Sequence, residues 1–153
     1  MKVYIGNFPK FKWYTTWLQT LFGYNVGLEP RRYVKIDDHD TWSMDNTLAY
    51  IVHPMLVQLR EVKHGATFVD MEDRPDHLRG TIVSEPFGNL DEFHFQAWDW
   101  AITEMIFAFH SKINNWQESF YPGPIDDDAR LDYQARVDNG FRLFGRYYEN
   151  LWD

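Results

Sequence analysis

Six side chains able to ligate a metal ion fall within a 25-residue stretch: His53, His64, Asp70, Glu72, Asp73 and His77. Imidazole nitrogen and carboxylate oxygen suit zinc, manganese or iron. Their spacing matches no compact metal signature. His53 and His64 are eleven residues apart, roughly 16 Å along a helix axis, so they cannot share one ion on a straight helix. The easier set is His64 with Asp70, Glu72 and Asp73, and its chemistry would be that of a divalent-metal hydrolase. The competing structural explanation is a solvated acidic turn with His64 at a helix C-terminus. That explanation carries more weight, so a divalent metal is allowed but not favoured.

Two further sets could do chemistry. Asp99 and Glu104 lie in an aromatic stretch with Trp100 and Phe107. A carboxylate in such surroundings has its charged form disfavoured, which poises it as an acid or base. A buried carboxylate also needs a cation, and the obvious source is an arginine of the last helix, such as Arg142 or Arg146. The third set is Arg136, Arg142 and Arg146 beside Phe141, Tyr147 and Tyr148. Planar cations and aromatic faces together can hold a nucleobase and its phosphate. Arg142, Arg146, Tyr147, Glu104 and Trp100 are therefore the candidate ligand-binding residues. Against this stands an amphipathic helix whose arginines pair with Asp132, Asp138 and Glu149. No nucleophile motif, phosphate loop or dinucleotide fingerprint supports an enzyme, and no residue is assigned as catalytic.

Composition narrows the classes. The 153 residues predict a single domain, 1–153, and 44% hydrophobic with 18% aromatic content predicts a folded core despite a net charge of −8. The aromatic excess leaves room for an interface and for a homo-oligomer. With no cysteine, neither disulfides nor thiolate chemistry are available. The opening residues are too polar for a signal peptide, and no apolar run is long enough to span a membrane. The acidic balance argues against general nucleic-acid binding. These features predict a soluble, cytoplasmic protein.

The elements that must position these residues follow from periodicity. Lys2–Phe8 and Arg31–Asp37 alternate as two short strands, with Val34 and Ile36 inward, paired either in a βαβ unit or across a longer connection. Phe11–Phe22 has helical spacing. Asp40–Gly65 reads as one capped helix, kinked at Pro54 and stopped at Gly65, with Met44, Leu48, Ile51, Met55, Leu59 and Val62 facing the core. The loop 66–86 is long for a compact domain, hence functional or mobile. A second helix opens near Asn89 with an Asn89/Glu92 capping box and buries Phe95, Trp98, Ile102, Met105, Phe109 and Ile113. Tyr121–Pro124 is a rigid connector. The last helix opens at Asp126–Asp128 and buries Tyr133, Val137, Phe141, Phe144, Tyr148 and Leu151. The fold class is α+β, mainly helical: three substantial helices, a short N-terminal helix and two short strands.

Several ordered motifs carry a resemblance: Trp42-Ser-Met-Asp-Asn-Thr-Leu48, Lys63-His-Gly65, Phe68-Val-Asp-Met-Glu-Asp-Arg-Pro75 and Asn139-Gly-Phe-Arg-Leu-Phe-Gly-Arg-Tyr-Tyr148. With Trp98-Asp-Trp100 and Leu151-Trp-Asp153, they resemble a small uncharacterised protein family of tailed bacteriophages, over most of the chain beyond about residue 30. The resemblance implies a viral product in the cytoplasm of an infected bacterium, and no catalytic residues carry over. The leading expectation is a non-enzymatic binding protein serving counter-defence or host takeover. Its target would be a host protein or a small nucleotide. The alternatives are the metal-dependent hydrolase and a minor structural protein of the virion.

Overall fold

The computed structural model describes residues 2–4, 33–81, 83–85, 88–120 and 127–152. The expected helix Phe11–Phe22 and the connector Tyr121–Pro124 lie outside them. The described residues are mainly helical, with three substantial helices. Backbone contacts divide the chain into two compact units, 1–44 and 45–153.

In the first unit, β1 (Lys2–Tyr4) pairs antiparallel with β2 (Tyr33–Lys35), Val3 opposite Val34. The antiparallel sense rules out the βαβ option, because a crossover helix joins parallel strands. Val34 and Ile36, expected inward, are exposed. A short helix, α1 (Asp38–Trp42), follows, and an Asp40 carboxylate oxygen accepts from the Asp37 backbone N–H at 2.9 Å. Ser43 leaves helical geometry (φ −123°, ψ 59°). The single helix expected over Asp40–Gly65 is thus two, and the second, α2 (Met44–Val62), runs through Pro54.

The second unit is built on α3 (His94–Ile113) and α4 (Asp127–Arg146). Their close approach has a specific cause at Gly140. A Cβ there would lie 2.4 Å from the Glu104 carbonyl oxygen and 2.6 Å from the Ala108 Cβ. Helix-interior glycine costs about 1 kcal/mol relative to alanine, so a packing gain must offset it. Ala97, Trp98, Ala101, Ile102, Met105 and Phe109 of α3 are buried together with Leu143 and Tyr147 of the last helix and its exit. Of the stripe expected to be buried on this helix, Trp98, Ile102, Met105 and Phe109 are buried, whereas Phe95 is exposed. Beyond it, Trp116 stacks on Tyr133 with ring centroids 4.9 Å apart, and Tyr133 shares a hydrogen bond with Ser111.

Two corrections concern helix faces. On α2 the buried residues are Ala49 and Leu56, while Leu48, Met55 and Val62 are exposed at 44%, 55% and 47%. The true core face is displaced by one residue, about 100° of helix, from the expected seam. On α4, Val137 is buried as expected, but the helix ends at Arg146. Tyr148 then falls in a 3₁₀ turn and is exposed, and Leu143 and Tyr147 take the buried places.

The start of α3 also differs. Asn89 belongs to β4 (Gly88–Leu90), which pairs antiparallel with β3 (Val83–Glu85). The N-cap position is Phe93, without a side-chain cap, so the expected Asn89/Glu92 box is not formed. Asp91 instead accepts the Phe93 backbone N–H at 2.8 Å in a turn just ahead of the helix. β3 and the 3₁₀ turn Asp76–Leu78 lie within the stretch expected to be one long loop.

Candidate functional site

Two sets that the sequence presents separately meet in space. Asp70, Glu72 and Asp73 of the acidic loop converge on Arg142, Arg146 and Tyr147 at the C-terminal end of α4. Arg142 donates to Asp73 at 2.5 Å. Arg146 reaches Asp70 at 2.5 Å, Glu72 at 2.7 Å and Asp73 at 3.0 Å. The Tyr147 hydroxyl accepts from the Asp70 backbone N–H at 2.9 Å and donates to Asp73 at 2.7 Å. The Nε and Nη2 of Arg142 donate to the Asn139 side-chain oxygen.

This arrangement explains the electrostatics. Burial alone would raise the Asp73 pKa. The hydrogen bonds from Tyr147 and Arg142, with the charges of Arg142 and Arg146, outweigh it and hold the carboxyl below its ordinary value. Burial, and then its bond to Asp73, push the Tyr147 phenol up to about 12. Bonding to Glu72 and Asp70 raises the Arg146 pKa. Asp73, Arg146 and Tyr147 are thus held more firmly in their ordinary charge states at neutral pH.

The neighbouring residue holds the other end of the loop. Arg74 is buried, donates to the Val69 carbonyl at 2.7 Å and pairs with buried Asp91 at 2.8 Å. Its guanidinium carbon lies 5.0 Å from the Phe68 ring centroid, so an aromatic face meets the cation. Phe68 also stacks on His94, whose Nε2 lies 3.1 Å from the Ala66 carbonyl oxygen. The segment 66–79 is therefore stapled to the start of α3 and to the end of α4.

The other candidates are placed as follows. Glu104 does pair with an arginine of the last helix, but with Arg136, in two bonds of 2.8 and 2.9 Å. Arg136 also covers the Phe107 ring at 3.8 Å. Asp99 pairs with Lys63. Trp100 is partly buried against the core. His64 and His77 are exposed, and His53 faces His110. Among the described residues, no three histidine or carboxylate side chains are grouped to hold a metal. The arginines expected to pair locally with Asp132, Asp138 and Glu149 instead make the long-range contacts above.

Sequence reasoning missed Asn139 and the Arg74–Asp91 pair. Arginine between Asp73 and Pro75 reads as one more surface charge until its burial is seen. A shallow concavity of about 100 Å³, lined by Gly65, Ala66, Thr67, Trp98, Asn150 and Trp152, lies beside the loop. Compared with known proteins, the chain matches no family model, no curated protein and no solved structure.

Proposed function

We propose that this chain is a non-enzymatic binding protein that acts in a phage-infected bacterial cell and takes a host protein as its target. One observation carries the choice of a protein target: α2 presents Leu48, Tyr50, Met55 and Val62 to the exterior. Apolar side chains gathered on one helix are the form in which grooves and helices recognise each other. A nucleotide draws less support. The cations that would hold its phosphate are already paired with Asp70, Glu72 and Asp73. The concavity beside the loop, about 100 Å³, is also small against the roughly 300–1,000 Å³ of typical small-molecule sites. The α+β description belongs to the same reading, since among the described residues the strands form two antiparallel pairs of three residues each. No helix among the described residues is long and apolar enough to cross a membrane, which is compatible with action in the cytoplasm.

The test is affinity capture from infected cells with the wild-type chain and with a Leu48→Glu/Met55→Glu variant. A partner retained by wild type and lost by a variant of unchanged melting temperature supports the reading. A parallel thermal-shift screen against divalent metals and nucleotides addresses the rivals, because any ligand of the folded state raises its stability with concentration. A saturable shift with a metal or nucleotide, and no partner, would replace this proposal. Recovery of the chain in purified virions would favour the structural role.

A further inference from the structure

The docking of α2 on α3 contains a feature that binding does not require. The imidazoles of His53 and His110 face each other across the two helices, with ring centroids 5.3 Å apart and planes tilted by 34°. Histidine is the side chain whose charge ordinarily changes between about pH 5 and 8. At this distance two imidazolium ions repel, whereas two neutral rings pack. His110 has a second constraint. Its Nε2 lies 2.7 Å from the Asn114 side-chain nitrogen, an arrangement in which the amide donates to a neutral ring. A protonated ring would need the Asn114 amide to turn its oxygen toward Nε2.

The rest of the α2 attachment is thin enough for this pair to matter. Ala49 and Leu56 are its buried side chains, with Val52 packed beside them. The charged groups facing across the two helices are already matched: Asp45 with Lys112 at one end, and Lys63 with Asp99 at the other. The α3–α4 contact differs. α4 has no histidine, and its cross-helix bonds to α3 join Arg136 to Glu104 and Tyr133 to Ser111.

We infer that the His53–His110 pair makes the docking of α2 acid-sensitive, so that protonation loosens α2 while α3 and α4 stay packed. Burial, and then the neighbouring His110, lower the His53 pKa from 6.5. A group whose pKa is lower folded than unfolded binds fewer protons in the folded state. Its contribution is therefore full above 6.5 and is lost as pH falls through the folded value.

Hydrogen exchange of the full chain at pH 7.5 and 5.5, corrected for intrinsic rates, tests this. Protection of amides 49–62 is expected to fall by about threefold or more in acid, with amides 133–146 unchanged. His53→Gln and His110→Gln should each remove most of the pH dependence. Unchanged α2 protection in the wild type, or the same acid loss in both variants, overturns the inference. An NMR titration of the wild type gives an independent reading that needs no variant. The His53 imidazole is expected to titrate below 6.5, and an ordinary value there would count against the pair.

Discussion

Asp73 and Arg74 are adjacent in the chain, yet they bind different helices of the antiparallel pair, at the end where the start of α3 meets the end of α4. Asp73 accepts from Arg142, Arg146 and Tyr147 at the end of α4, and Arg74 pairs with Asp91 at the start of α3. The acidic loop is a clamp, and its charges are spent on holding it closed.

The Arg74–Asp91 pair should behave as a buried ion pair. Removing one partner leaves a buried charge uncompensated, which costs about 3–5 kcal/mol, whereas replacing both by apolar residues of similar volume costs much less. Urea unfolding of Asp91→Ala, Arg74→Met and Arg74→Met/Asp91→Leu tests this. A double variant as unstable as the sum of the singles would disprove the coupling.

Tyr147→Phe keeps the ring packed against Trp98, whose centroid is 6.0 Å away, and removes only the hydroxyl. The Asp70 N–H loses its acceptor and Asp73 loses one donor. The expected cost is about 1–3 kcal/mol by denaturant titration, with faster amide exchange at Asp70. A neutral result would show that the clamp holds through arginines alone.

Two glycines in α4 should respond with opposite signs. Gly140→Ala forces a Cβ against the Glu104 backbone and should destabilise by about 1–3 kcal/mol, because helix packing leaves no room. At Gly145 a Cβ meets nothing within 4 Å, so Gly145→Ala should stabilise by about 0.5–1 kcal/mol through helix propensity. Paired thermal melts decide the matter, and a gain at position 140 would refute the close-approach argument.

Strong acid should weaken the clamp through Asp73. The Asp73 pKa is depressed in the folded state, so its contribution is full above the unfolded value near 3.8 and is lost as pH falls through the folded value. Stability measured from pH 5 to pH 2 should fall less steeply in Asp73→Asn, which starts weaker, than in the wild type. Parallel curves would mean that another carboxylate controls acid unfolding.

Some of this was legible in the chain. Apolar residues recurring at steps of three and four located all three long helices, and most of the stripe expected on α3 (Trp98, Ile102, Met105 and Phe109) is buried. Faces and ends were less legible. On α2 the stripe from Met44 to Val62 and the true face through Ala49, Val52 and Leu56 are both apolar. A hydrophobic pattern cannot rank two apolar faces, since what decides is which one meets Trp98, Ile102 and Met105.

The sequence by itself determined the reagents: an acidic loop, an arginine-rich last helix, an aromatic central helix and no thiol. Only the tertiary structure decided that the loop and the arginines neutralise each other. Asp73 and Arg142 are 69 residues apart, and charge has no periodicity that names its partner over such a separation. Local spacing specifies a helix because neighbours three and four residues apart share a face. An ion pair between distant segments is specified by the packing of every element between them. That packing turned two candidate sites into one structural clamp.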